Sequence, residues 1–273
     1  MTVAIEAGVN VVTARRRRAS IARLQSRPED ALVDLHSVLS NERTPGVEFV
    51  AALELLRDFD SNWISVAANT SGLWRLDGHL QIRVAEILES DAKGTELVVA
   101  MMSKLVGQRR EIKDGLYEMA KIHLSLSLIH SRQFKKALEL IADSREEALE
   151  SNSAPEVFNY AMADWGQNGV APKDLMARVV TLLEEVRSEG VNRHQCLALA
   201  NYVCGKINAA KHHLLRARRA TADMPGRDFS CWRYLEVSRN EMRRDLGLLD
   251  DYINGNGQGP AVFANSDNEL LLN

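Results

Sequence analysis

The segment LALANYVCGKINAAKHHLLRA, residues 197–217, decides the fold because it reads as two helices joined by a tight turn. Apolar or small residues recur at the spacing of one helix face from Ile207 through Ala210 to Leu214. Gly205 lies where the chain must turn, and a residue without Cβ adopts left-handed backbone angles freely. Because Ala210 is small, two antiparallel helices can approach closely there. The segment therefore predicts a helical hairpin with a turn of about two residues.

The same pattern occurs twice more in the chain. In one copy Phe134, Ala137 and Ile141 repeat the spacing of the second helix, and Arg132 takes the place of the turn glycine. The other copy lies near the N-terminus and has Pro28 in the first turn of its second helix, where the missing N–H costs nothing. The small and apolar positions of that copy are Ala19, Ala22, Ala31 and Leu35.

The intervals between the copies support a repeat. Pro28 and Phe134 are 106 residues apart and Phe134 and Ile207 are 73 apart, close to three and two steps of roughly 35. A degenerate unit lies before the last copy, where Pro172 opens a helix after a longer loop at 166–171. The pattern predicts repeats at about 12–40, 118–150, 155–190 and 191–224.

These residues resemble the tetratricopeptide repeat, over about half of the chain and most closely at 120–144 and 194–217. The resemblance implies hairpins stacked into a right-handed superhelix with a concave groove. Ala19, Ser125 and Ala198 occupy the small-residue position of the first helix, but the tryptophan, glycine and tyrosine typical of that helix are mostly absent. A different α-solenoid therefore stays open. We predict an all-α solenoid of stacked antiparallel helix hairpins with about 11–13 helices and no sheet.

The domain organisation follows from the same pattern. Repeat arrays grow by stacking, so we predict one domain over 1–253 and a flexible polar tail over 254–273. We expect the Leu270–Leu272 segment of that tail to fray, and the alternatives are docking on the scaffold or self-association. We also predict helical stretches without a clean repeat at Val47–Leu56, Gln81–Leu88 and Glu96–Val106. Trp232, Tyr234 and Leu235 are expected on a helix that follows Pro225 and ends at Gly247.

Composition narrows the class of protein. The net charge of -3 argues against a protein that coats nucleic acid along its whole length. The chain contains no apolar run long enough for a membrane span, and its beginning lacks the pattern of a secretion signal. Three cysteines in a chain of this size suggest free thiols in a reducing compartment. We therefore expect a cytoplasmic protein.

The motifs of common catalytic and metal sites are missing from the sequence. There is no phosphate loop, H-E-x-x-H or G-x-S-x-G, so we expect no enzyme and no cofactor. A metal interpretation of His194, Cys196, Cys204, His212 and His213 is unfavourable. Eight helical residues separate the two cysteines by about 12 Å along the axis, too far for ligands of one zinc ion. We expect no metal site.

The resemblance implies which residues face the groove. Carried over onto the two best copies, these positions are mostly apolar: Met119, Ile122, Leu126, Ile129, His130, Asn192, Gln195, Leu199 and Tyr202. An apolar groove suits an amphipathic helix or an extended apolar segment of another protein. The same side chains also suit packing against neighbouring helices.

The arginines at 15–18 support a rival interpretation. Arg16 and Arg23 fall on groove-facing positions of the first copy and are candidate anion contacts. The alternative is that they lie on the solvated end of the array and have no ligand. We therefore predict a non-catalytic scaffold that binds a partner protein, as an adaptor, chaperone or regulatory subunit. The alternatives are a helical-repeat regulator that binds nucleic acid or another anion, and an enzyme with an unrecognised site.

Overall fold

The computed structural model describes residues 10–224 and 226–263, and 14 α-helices lie within them. The helices before residue 131 are α1 (Val11–Leu24), α2 (Pro28–Ser40), α3 (Gly46–Arg57), α4 (Trp63–Ala68), α5 (Gly78–Leu88), α6 (Thr95–Gly107) and α7 (Asp114–His130). The later elements are α8 (Phe134–Ile141), α9 (Arg145–Glu150), α10 (Ala154–Asn168), α11 (Lys173–Glu185), α12 (Val191–Val203), α13 (Ile207–Ala220), β1 (Arg227–Ser230), β2 (Leu235–Ser238) and α14 (Arg239–Ile253). Short 3-10 turns lie at Leu73–Arg75, Ala92–Gly94 and Ala261–Phe263.

The described chain groups into two compact units. The first comprises the described residues up to Leu88 together with Glu96–Ala120, and the second comprises Glu89–Thr95 together with the described residues from Lys121 onward. In the first unit α1 packs on α2, and α3 packs on both and on α5. Its core includes the fully buried side chains of Leu35, Leu53 and Leu56.

The second unit is a succession of neighbouring helices. From α10 to α14 each helix packs against the next, and α8 packs against α10. Small residues permit these close approaches, since Ala161, Ala198 and Ala210 are completely buried. At Gly166 of α10, an added Cβ would lie 2.5 Å from the Phe134 ring. The observed class is mostly helical, as predicted.

Three helix hairpins share one turn geometry. Ser26, Arg132 and Gly205 each have a positive φ, between 54° and 77°. These positions are 106 and 73 residues apart, the same intervals as the sequence pattern. In each turn the next residue's N–H bonds the carbonyl five residues before it, at 2.8–2.9 Å. This arrangement satisfies the last carbonyls of the first helix. Short turns therefore occur at all three expected positions, including the one where arginine replaces glycine, but each has three residues between its helices and not about two.

Side chains about one predicted period apart touch within the second unit. Lys121 pairs with Glu156 at 3.0 Å across 35 residues, and Ser125 accepts from Asn159 across 34 residues. These contacts join α7 to α10.

The prediction of no sheet is wrong. β1 and β2 form an antiparallel hairpin in which Arg227 pairs with Ser238 and Ser230 with Leu235. Trp232 and Tyr234 lie in its turn and not on a helix, and Tyr234 has a positive φ of 59°. Gly247 does not end a helix either, because α14 continues through it to Ile253. Pro225, expected before that helix, lies outside the described residues.

Part of the predicted tail packs against α8 and α10: residues 254–258 are exposed, whereas Pro260 and Val262 are buried. Phe263 lies edge-on to Phe134 and tilted against Trp165, with ring centroids 6.0 and 5.1 Å apart. The Val262 N–H bonds the Trp232 carbonyl at 3.1 Å. Leu270–Leu272 lie outside the described residues, so the expectation for that segment stays a prediction.

The helical stretches predicted between residues 45 and 110 are confirmed by α3, α5 and α6. The described part of the chain has more helices than the 11–13 expected, because short helices such as α4 and α9 follow no repeat spacing. Within the same residues, none of the helices combines the length and apolar character that a membrane crossing requires.

Candidate functional site

The β-hairpin covers the face of the second unit on which most predicted groove residues lie. Gln195 of α12 accepts a hydrogen bond from the Cys231 N–H at 2.9 Å and donates to Ser230 Oγ at 3.1 Å. His130 of α7 donates from Nδ1 to the Arg233 carbonyl at 3.0 Å. Side chains of two helices therefore hold the main chain of the hairpin.

A polar chain extends from the hairpin into the helices. The Tyr234 hydroxyl donates to Asn159 Oδ1 at 3.2 Å, and Asn159 donates to Ser125 Oγ at 3.0 Å. Ser125 in turn donates to the Ile122 carbonyl at 2.7 Å. Burial raises the pKa of Tyr234 well above its usual value. Tyr234 therefore acts as a neutral donor that fixes the hairpin on α10.

Three of the predicted groove residues are completely buried, namely Ile129, Gln195 and Leu199. Leu126 and His130 border a small cavity that is closed by Phe229, Tyr234 and Leu235 of the hairpin. Ile129, Gln195 and Leu199 can contact a partner only if the hairpin or the surrounding helices move, whereas Leu126 and His130 are partly exposed. Packing in the chain's own interior is therefore an alternative role for these side chains.

The remaining groove residues are more accessible. Tyr202 packs edge-on against Tyr252 with ring centroids 4.8 Å apart. Asn192 accepts a hydrogen bond from the Cys196 thiol at 3.3 Å, and Ile122 is partly buried. Met119 lies in the first unit and is 40% exposed. Their contact with a partner stays a prediction.

The candidate anion contacts are ion-paired within the first unit. Arg16 pairs with Glu48 through its Nε, and Arg23 pairs with Asp58 at 2.7 Å. Neither arginine therefore needs an external anion to balance its charge. Burial raises the pKa of Glu48, but Arg16 acts in the opposite direction, and the pKa is lowered overall.

Arg18 of the same run makes a bidentate pair with Asp34, at 2.5 and 2.6 Å, and the Asp34 carboxylate is completely buried. A buried carboxylate requires such compensation. Much of the arginine run therefore stabilises the first hairpin and its contact with α3.

Two histidines of the rejected metal cluster form a pair in which His194 is buried and His213 is partly exposed. His194 Nδ1 and His213 Nδ1 are 3.2 Å apart, and His194 Nε2 contacts Glu189 at 3.0 Å. Burial, together with the neighbouring histidines and arginines, lowers the pKa of His213 to about 4. Cys204 lies apart from them, with its thiol 3.6 Å from the Lys173 carbonyl. The contacts of His194 and His213 with each other and with Glu189 give both histidines a role in packing.

An open cleft of about 460 Å³ lies in the second unit, where α12 begins, α13 ends and β1 begins. Val191 and Met224, both nearly completely buried, contribute apolar surface. Its charged lining consists of Glu189, Arg216, Arg219, Asp223 and Asp228. The cleft thus combines an apolar floor with polar groups of both signs.

Asp228 is the most enclosed of the acidic groups in the cleft. Its carboxylate accepts the Phe229 N–H at 2.8 Å. Burial raises the pKa of Asp228, while the backbone N–H groups of Phe229 and Asn192 oppose that rise. Glu189 differs, because it is exposed and paired with Arg216 and His194, which lower its pKa.

Sequence reasoning missed this cleft. Its lining comes from three separate stretches of the chain, and the β-strand that contributes Asp228 was expected to be helical. The run of basic residues near the end of α13 was the available signal, since Arg216 and Arg219 are one helical turn apart.

Comparison with known proteins gives no relative: no family model, no curated protein and no solved structure matches the chain. The resemblance to the tetratricopeptide repeat therefore stays a prediction.

Proposed function

We propose that this chain is a non-catalytic helical scaffold that binds a segment of another polypeptide, and that the cleft between α12, α13 and β1 is its binding site. The composition of the cleft carries the proposal. Buried Val191 and Met224 lie beneath a rim that includes Glu189, Arg219 and Asp223. An apolar centre with a polar rim is typical of protein interfaces, and the volume suits an anchoring side chain and its neighbours.

The cleft is the better candidate because it is open, whereas Ile129, Gln195 and Leu199 of the predicted groove are completely buried. Binding on the α7, α10 and α12 face would first require removal of the hairpin. That movement would expose Trp232 and Tyr234, each 2% exposed in the folded protein. Exposing such side chains costs about 2–3 kcal/mol each, before any hydrogen bonds to Gln195 and Asn159 are lost.

Anion binding at the N-terminal arginines is the weaker candidate. Arg16 and Arg23 would have to exchange Glu48 and Asp58 for an external phosphate or carboxylate. That exchange replaces one ion pair by another and gains little in water. The ion pairs of the first unit therefore favour the adaptor role over a role in anion binding.

Affinity capture of the tagged full-length protein from a nuclease-treated extract, washed at low and high salt, tests this function. Ala220→Trp would fill the cleft, and Leu215→Trp adds the same side chain at an exposed position of α13 outside it. We expect a stoichiometric protein that survives high salt, is lost with Ala220→Trp and is retained with Leu215→Trp. Capture of nucleic acid alone, or a partner that Ala220→Trp does not weaken, would contradict the proposal.

A further inference from the structure

The charges that line the cleft do not balance. Arg216 and Arg219 face three acidic residues, Glu189, Asp223 and Asp228. Arg216 is already paired with Glu189. Arg219 and Asp223 are both exposed and opposite in sign. The uncompensated negative charge is therefore best assigned to Asp228.

Of the three acidic residues in the cleft, Asp228 is also the one whose negative charge is least stabilised by water. It is only partly exposed, and within the described residues it has no ion-pair partner. The backbone N–H groups of Phe229 and Asn192 satisfy part of the carboxylate. A carboxylate withdrawn from water is costly unless a cation pairs with it, so a bound cation would be favourable at this position.

We propose that the cleft recognises a basic side chain, lysine or arginine, of the bound polypeptide, and that the cationic group pairs with Asp228. This inference rests on the proposed function. The aliphatic stem of either side chain would pack on Val191 and Met224, since long basic side chains bury their stems while the charged end stays solvated. Arg216 adds little repulsion because Glu189 neutralises it, and Asp223 offsets Arg219 on the exposed rim.

Selection of displayed random peptides on the immobilised full-length protein tests this inference. Peptides that also bind the Ala220→Trp variant are discarded, so that those retained require the cleft. The affinity of a retained peptide is then compared with that of the same peptide carrying glutamine in place of its basic residue. The peptide is also measured against Asp228→Asn, which keeps an acceptor oxygen for Phe229, and against Asp251→Asn, which removes one exposed acid outside the cleft.

We expect enrichment of lysine or arginine at one peptide position. Loss of that charge, or Asp228→Asn, should weaken binding about tenfold, and Asp251→Asn should leave it unchanged. Cleft-dependent peptides without a shared basic residue would overturn this inference and leave the proposed function standing. A selection that yields no cleft-dependent peptide would overturn both. The peptide substitution decides the question independently if Asp228→Asn does not fold.

Discussion

Gln195 and Cys231 are joined by a hydrogen bond of 2.9 Å from the Cys231 N–H to the Gln195 side-chain carbonyl. Both residues are completely or almost completely buried, so water cannot replace this bond. The same amide group donates to Ser230 Oγ, which in turn donates to Asp245 at 2.7 Å. One side chain of α12 therefore holds the hairpin that covers the predicted groove.

Gln195→Leu should destabilise the protein by about 1–3 kcal/mol, because it leaves the buried Cys231 N–H without an acceptor. Urea denaturation followed by circular dichroism measures the change. Gln167→Leu is the matched control, since Gln167 is exposed on α10 and its replacement should change stability by less than about 0.5 kcal/mol. Equal stability of the two variants would show that the hairpin is not held through Gln195.

The pair formed by His194 and the partly exposed His213 predicts a loss of stability in mild acid. The pKa of His213 is about 4 in the folded protein, against about 6.5 in the unfolded chain. The unfolded chain therefore binds its proton first as the pH falls. Stability is fully present above about pH 6.5 and decreases toward pH 4, by up to about 3 kcal/mol from this residue.

Urea midpoints at pH 7, 6 and 5 test this pH dependence. His213→Gln should reduce the decrease, whereas His79→Gln, at an exposed position, should not. The groups that surround the pair, Glu189, Arg193 and Arg216, remain in both variants. A His213→Gln protein with an unchanged pH dependence would be evidence against the pairing of His194 with His213.

Asp34→Asn should destabilise the first unit because it breaks the bidentate pair with Arg18. Loss of one partner of a buried pair is costly, and we expect about 2 kcal/mol because the Arg18 side chain is about a third exposed. Asp30→Asn breaks an exposed pair with Arg27 and should cost about 0.5 kcal/mol or less. Thermal unfolding compares the two variants, and similar melting temperatures would contradict this assignment.

The ion pairs of Arg16 and Arg23 predict weak anion binding. Titration of a single-stranded oligonucleotide into the full-length protein at several salt concentrations measures it. We expect Arg16→Gln and Arg23→Gln to leave the salt dependence of any binding unchanged, because neither arginine is released from its carboxylate. A smaller salt slope in either variant would revive the anion-binding alternative.

The three thiols should differ in reactivity. Cys196 and Cys231 are buried, and burial raises the pKa of Cys231 well above its usual value. Cys204 is partly exposed, although burial raises its pKa too. A chromogenic disulfide reagent at neutral pH should therefore label Cys204 first and the other two only after unfolding. Early labelling of Cys204→Ser would contradict the buried placement of the hairpin turn.

The helical hairpins could be predicted because their information is local. Ile207, Ala210 and Gly205 lie within six residues of each other, and helix spacing and turn geometry act over that range. The β-hairpin could not, because its strands have four residues each and the left-handed backbone at Tyr234 is unusual for an aromatic residue. Its place depends on the distant Gln195 and Asn159.

The candidate site was harder to predict for the same reason. The resemblance to the tetratricopeptide repeat placed Gln195 and Leu199 on a groove face, with helix packing as the alternative, and both are buried. It could not show whether a partner or the chain itself covers them. The arginine run was visible in the sequence, but its carboxylates are distant along the chain, as with Arg16 and Glu48, which are 32 residues apart.

The most direct measurement is amide hydrogen exchange of the full-length protein with and without a captured partner or selected peptide. Our account predicts slower exchange at 189–193 and 216–224, around the cleft, and unchanged exchange in the hairpin at 229–238. Faster exchange in the hairpin together with protection of α7 and α12 would contradict it, because the partner would then occupy the covered groove.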